Sequence, residues 1–173
     1  MENLIQKKES ATSDITLESS AILKHWQGHR GLTRRMIQSF PEDKLFHYSI
    51  GGMRPFSAMV MELIGIASPG IQGMLSGEWQ EIGDLSDDAQ AAKPETKEQL
   101  LKLWDDVTEK IDLLWPQIPP HRFLEVDVAF GQYENPVYKT LFYFIDNEVH
   151  HRGQGYVYLR SLGIEPPPFW DRD

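Results

Sequence analysis

The chain of 173 residues contains no cysteine. That absence excludes disulfides, thiolate-held zinc, iron–sulfur clusters and a thiol nucleophile of the protein's own. Positive charge is also scarce. Lys and Arg total 17 against 26 Asp and Glu, for a net charge of -9. Phosphate backbones and anionic headgroups require a basic footprint, so neither nucleic acid nor a membrane surface is an expected partner. A long apolar run is missing too. Residues 56–75 come nearest, but Glu62, Pro69, Gly70 and Gln72 break them, and they read poorly as a membrane span. The N-terminus, Met1-Glu2-Asn3-Leu4-Ile5-Gln6-Lys7-Lys8, lacks the apolar core and small-residue cleavage site of a secretory signal. A soluble cytoplasmic protein is expected. No Gly-rich phosphate loop, nucleophile elbow or two-histidine zinc-protease motif occurs.

The remaining composition, 40% apolar and 25% charged, is that of an ordinary globular protein. The length suits about one domain and suffices for a core that needs no staple. Residues 1–13 are polar and aperiodic, and read as a flexible N-terminal arm before one domain over residues 14–173. A first helix is expected from Ser13 or Asp14, either of which can cap it. Ile22, Trp26, His29, Thr33, Met36 and Phe40 form its inner stripe, and it stops before Pro41. A second helix follows the Gly51-Gly52 turn, with Pro55 at its first position. It is apolar almost all round, and Pro69-Gly70 should interrupt it. Residues 76–95 read as an acidic surface loop. Thr96 and Gln99 form a capping box for a third helix carrying Leu100, Leu103, Trp104, Val107, Ile111 and Leu114. Prolines 116, 119 and 120 end it. Residues 123–130 read as a short strand or an extended crossing. Asn135-Pro136 then starts a fourth helix with the stripe Val137, Leu141, Phe144, Glu148, His151, Gly155, Tyr158 and Leu162, closed by Gly163. The fold class is therefore all-α, a four-helix bundle with long crossover connections near 76–95 and 116–135.

Two places break the pattern of apolar core and polar surface. Glu62 is the only charged side chain between Arg54 and Glu78, and Met59, Leu63 and Ile66 flank it on the helix. A buried carboxylate needs a cation or a raised pKa; the plainer readings are an ion pair with an arginine or a boundary glutamate that reaches solvent. The second break is Asp146-Asn147-Glu148-Val149-His150-His151-Arg152-Gly153-Gln154. Here Asn147 and Glu148 lie one turn before His151, and Gln154 lies about one turn after it. Imidazole and oxygen donors on adjacent turns suit a divalent metal. A purely structural cluster, with Arg152 paired to Glu148 or Asp146, is the other reading. His29 lies on the inner face of the first helix and could reach a central site.

The segment His150-His151-Arg152-Gly153-Gln154, continuing through Tyr158-Leu159-Arg160-Ser161-Leu162-Gly163-Ile164 to Pro166-Pro167, resembles the last helix of the DinB family, the DinB/YfiT-like metalloenzymes. Gly52-Met53-Arg54-Pro55-Phe56-Ser57 resembles the start of that family's second helix. The resemblance implies a four-helix bundle, often a homodimer. It also implies a central divalent-metal site of three histidines, one from the second helix and two from the last. For some members it implies transfer to low-molecular-weight thiols, and for others hydrolysis. Position by position, those histidines fall on Glu62, Asn147 and His151. Glu148, His150 and His29 stay open as further members of the site.

Two readings follow from this altered set. In the first, the chain is a metal-dependent transferase or hydrolase. Glu62, Asn147 and His151 hold an ion (Mn, Fe, Ni or Zn) that activates a small-molecule thiol or water toward a small-molecule substrate. The oxygen-rich set favours manganese, iron or magnesium over zinc. In the second, the metal has been lost and Glu62 hydrogen-bonds directly to Asn147 or His151. The chain is then a non-catalytic homodimeric bundle that binds a small ligand or a protein partner.

Overall fold

The computed structural model describes residues 17–81 and 93–172. The N-terminal arm, the caps expected at Ser13 or Asp14, and most of the acidic loop lie outside the described residues. Helix α1 (Ser19–Ser39) buries Trp26, His29, Thr33 and Met36, as the spacing requires, together with Arg30, Leu32 and Ile37. It begins at Ser19, later than the candidate caps, with Glu18 before it and no side-chain cap bond. A cap is worth about 1 kcal/mol and cannot fix a boundary unaided. A short helix α2 (Glu42–His47) follows Pro41 and packs on the next helix. Six residues are too few to show a period.

Helix α3 (Phe56–Ser76) starts one residue after Pro55, which caps it instead of joining it. The expected break at Pro69-Gly70 does not occur, and the helix runs through Pro69. Pro69 gives up one backbone bond toward Gly65. Burial of Ala67, Gly70, Ile71 and Met74 on both sides of it offsets that loss. The helix is long and apolar enough to cross a membrane, yet half of that stretch is buried inside the protein. Helix α4 (Lys97–Leu114) carries the expected capping box at Thr96 and Gln99. It ends in two 3-10 turns, Trp115–Gln117 and Pro120–Leu124.

A two-stranded antiparallel hairpin comes next, β1 (Val126–Ala129) with β2 (Tyr133–Pro136). The sequence suggested the first strand but not the second. Asn135 and Pro136 were expected as cap and first residue of the last helix; they pair with Asp127 and Val126, and that helix begins one residue later, with Pro136 as its cap. Proline is tolerated at this strand's last position because it needs to donate nothing to the ladder there. Asp127 ties the hairpin down: it accepts from Trp79 Nε1 at 2.9 Å and pairs with Arg122 at 2.6 Å. Arg122 in turn donates to the Met74 carbonyl near the end of α3. Helix α5 (Val137–Ser161) completes the bundle, and every residue of its expected stripe from Val137 to Tyr158 is buried.

Helix α1 packs on α4 and α5, and α3 packs on the same two helices. Hence α1 and α3 stand opposite each other across the core, as do α4 and α5. The connections 40–55 and 115–136 therefore cross the bundle. The connection between α3 and α4, expected to be a crossover, joins neighbours. What matters for the site is that α5 touches both α1 and α3. Its successive residues, about 100° apart, face different partners.

Close approach of α5 and α3 depends on Gly155. A Cβ there would sit 2.5 Å from the Phe56 ring, which is fully buried and stacked on Phe40 at 4.8 Å. The ring has no free direction to move. Overpacking should outweigh the better helix propensity of alanine, so Gly155→Ala is expected to cost about 1–2 kcal/mol net. A urea midpoint unchanged from wild type would show that Phe56 has room.

Candidate metal and ligand site

Glu62 projects from α3 toward α5. Its Oε1 accepts from Asn147 Nδ2 at 3.3 Å and lies 3.0 Å from His151 Nε2. Its Oε2 accepts from Arg54 at 2.6 Å. The three positions expected at the site thus meet at one carboxylate oxygen. Arg54 is the arginine partner that the sequence left unidentified. It lies in the turn before α3, where no period reports its direction. Its own carbonyl is held by the Tyr158 hydroxyl at 2.9 Å. The Glu62 side chain is 30% exposed, so it sits at the rim of the core. Burial works to raise its carboxyl, but hydrogen bonds from Arg54, His151 and Asn147 together hold it below the usual carboxylate range. On the far side of the imidazole, His151 Nδ1 lies 2.8 Å from Gln154 Oε1. Gln154 therefore fixes the ring so that Nε2 faces Glu62.

This arrangement, an acid of the second long helix meeting the last long helix at His151 and Asn147, is carried on a chain whose residues 10–172 match the model of the DinB family. The chain belongs to the DinB family. Its fold is similar to two solved structures. A DinB-like protein from Bacillus subtilis is 18% identical, with a TM-score of 0.68 over 88% of this chain and 99% of that one. A DinB-like protein from Bacillus cereus is 17% identical, with a TM-score of 0.67 over 86% of this chain and 95% of that one. No curated protein matches. DinB family proteins are generally metal-associated.

The other candidates of this DinB chain do not join Glu62. Glu148, one residue from Asn147, turns toward α1, where it accepts from Thr33 Oγ1 at 2.6 Å and faces Arg152 at 3.6 Å. This is the structural ion pair, and it removes Glu148 from the ligand set. His150 is exposed and contacts Gln154 at 3.4 Å. His29 is buried on α1, with its Nδ1 2.8 Å from Arg152 Nη2. Arginine can only donate, so Nδ1 accepts there, while Nε2 lies 3.2 Å from His25 Nε2 and 3.3 Å from Arg172 Nη1. Arg30, also buried, escaped the sequence reading. It stacks on Trp104 at 3.9 Å and donates to Thr108 Oγ1 and the Trp104 carbonyl.

Burial, then Arg152, Arg172 and His25, push the His29 imidazole down from 6.5 to about 4. The folded state thus refuses a proton that the unfolded chain accepts. The stability this represents is complete above about pH 6.5 and drains away as pH falls toward 4. After allowance for solvent screening of the neighbouring arginines, the loss is about 1–2 kcal/mol. Thermal melts between pH 7 and 4 should show it, and His29→Gln should flatten the decline. An equal decline in that variant would assign the acid sensitivity to other groups.

A carboxylate oxygen and an imidazole nitrogen are donor types that first-row divalent ions take, and Glu62 and His151 would hold such an ion between them in place of their direct contact. Asn147 can turn its amide to present oxygen. Gln154 behind the imidazole and Arg54 on the second carboxylate oxygen occupy the places of outer partners that orient metal ligands. Among the described residues no group of three or more His, Asp or Glu gathers, so a third donor would have to be the neutral amide of Asn147.

Beside Glu62 opens a cleft of about 510 Å³, lined by α3, the hairpin and α5. Its walls include Ile66, Phe130, Tyr133, Tyr143 and Phe144. The sequence analysis missed it because its floor depends on the hairpin.

Proposed function

We propose that this DinB protein is a metal-dependent transferase or hydrolase. Its substrate is a small molecule that enters the cleft beside Glu62. The convergence of His151 and Asn147 on one oxygen of Glu62, at the edge of that cleft, carries the reading. Glu62 and His151 would hold the ion, with Asn147 as the weaker third donor. When bound, the ion supplies Lewis acidity toward a thiol or a water. The chain supplies the rest. Gln154 holds the His151 ring in the presenting orientation, and Arg54 fixes the carboxylate. The aromatic walls offer the substrate an apolar surface. Because the chain has no cysteine, a thiol nucleophile comes from a small-molecule cosubstrate.

A second reading rests on the Arg54 contact. With Arg54 and Asn147 donating and His151 beside it, the Glu62 carboxylate is satisfied with no ion present. The site would then be the polar end of a metal-free ligand-binding cleft. Thermal melts with Mn, Fe, Ni and Zn separate the two. Binding at 100 times Kd stabilises the fold by about 2.7 kcal/mol. Wild type is expected to respond to at least one ion and Glu62→Ala to none. Indifference of wild type to all four ions supports the second reading.

A further inference from the structure

The cleft carries a charge that metal binding does not use. Lys139, in the first turn of α5, lines it and is exposed. Among the described residues Lys139 has no hydrogen bond or ion pair. Among the described residues Glu62 is the only acid lining the cleft, and Arg54 and His151 already engage it. The charge left unmatched in the cleft is therefore positive, within a protein whose net charge is -9.

The walls restrict what that charge can recognise. Tyr133 and Tyr143 present large ring surfaces, 53% and 56% exposed. Phe130 adopts a φ of 55°, a left-handed conformation that bulky residues avoid. Packing on Trp79 and Phe144 holds it there, so the hairpin delivers this ring to the cleft against local preference. The volume, about 510 Å³, is that of a small-molecule site. One ammonium matches one negative charge, whereas a phosphate ester calls for several donors.

We propose that the cleft binds a small apolar monocarboxylate. Its carboxylate pairs with Lys139 Nζ, its apolar body lies between Tyr133 and Tyr143, and its far end points toward Glu62 and His151. This rests on the cleft being the substrate's site, but not on the metal.

Calorimetric titration with 4-phenylbutyrate, 4-phenylbutanol and 4-phenylbutylamine tests it, in EDTA so that no ion can bind the carboxylate. The acid should bind about 10-fold tighter than the alcohol, as for a hydrogen bond to a charged group, and the amine weakest. Lys139→Ala should erase the preference for the acid, and Lys139→Glu should transfer it to the amine. Lys139 is exposed, so both variants should melt like wild type. Equal binding of acid and alcohol, tightest binding of the amine, a preference that survives Lys139→Ala, or no binding of any probe overturns the proposal. The metal content of the same preparations reports separately on the catalytic reading.

Discussion

Glu148→Ala should lower the stability of the fold by about 3–5 kcal/mol, the usual loss when one partner of a buried ion pair is removed. Glu148 is 2% exposed, between the guanidinium of Arg152 and the hydroxyl of Thr33. Burial pushes its carboxyl up, while Arg30, Thr33, Arg152 and Trp26 pull it back. Without it, the buried Arg152 loses its ion-pair partner, and the buried Arg30 loses the largest of the carboxylate fields acting on it, leaving those of Asp105 and Asp112. Glu148→Gln keeps an acceptor for Thr33 but loses the charge, so its cost should be smaller, about 1–3 kcal/mol. Against a typical total of about 5–15 kcal/mol, the alanine variant stands at the edge of folding. Urea unfolding followed by tryptophan fluorescence measures this. A loss under about 1 kcal/mol would mean that the arginines find other partners.

Glu62→Ala and His151→Ala should behave in the opposite way. Glu62 lies at the rim, and its pair with the half-exposed Arg54 is worth at most about 1 kcal/mol. Loss of a ligand should lower metal affinity by more than the roughly 10–100-fold typical of removing an outer partner. Gln154→Ala, which only frees the His151 ring, should fall within that range. Asn147→His, which replaces a neutral amide with an imidazole, should raise affinity. Two acids on the same bundle thus part company. Glu148 holds helices together, and Glu62 is the one we propose to serve the ligand.

Much of this was legible in the residues. The helical stripes of α1 and α5 and the capping box of α4 follow from spacing. Glu62 stood out as a charge on an apolar face. Other features depended on tertiary context. Pro69 should break a helix by local preference, and packing on both sides overrides it. A strand of four residues ending in proline, Tyr133–Pro136, carries too little pattern to be seen, and with it went the cleft. Asn147 and Glu148 are neighbours about 100° apart on one helix. Which of them meets Glu62 could not be decided until α5 was known to lie between α1 and α3. Arg54 was hidden in a glycine turn and Arg30 beside a more conspicuous histidine.

Elemental analysis of protein purified without chelators tests the metal site most directly. Wild type should carry close to one divalent ion per chain, and Glu62→Ala and His151→Ala almost none while remaining folded. A folded wild type with no ion, or variants that keep as much as wild type, would contradict it.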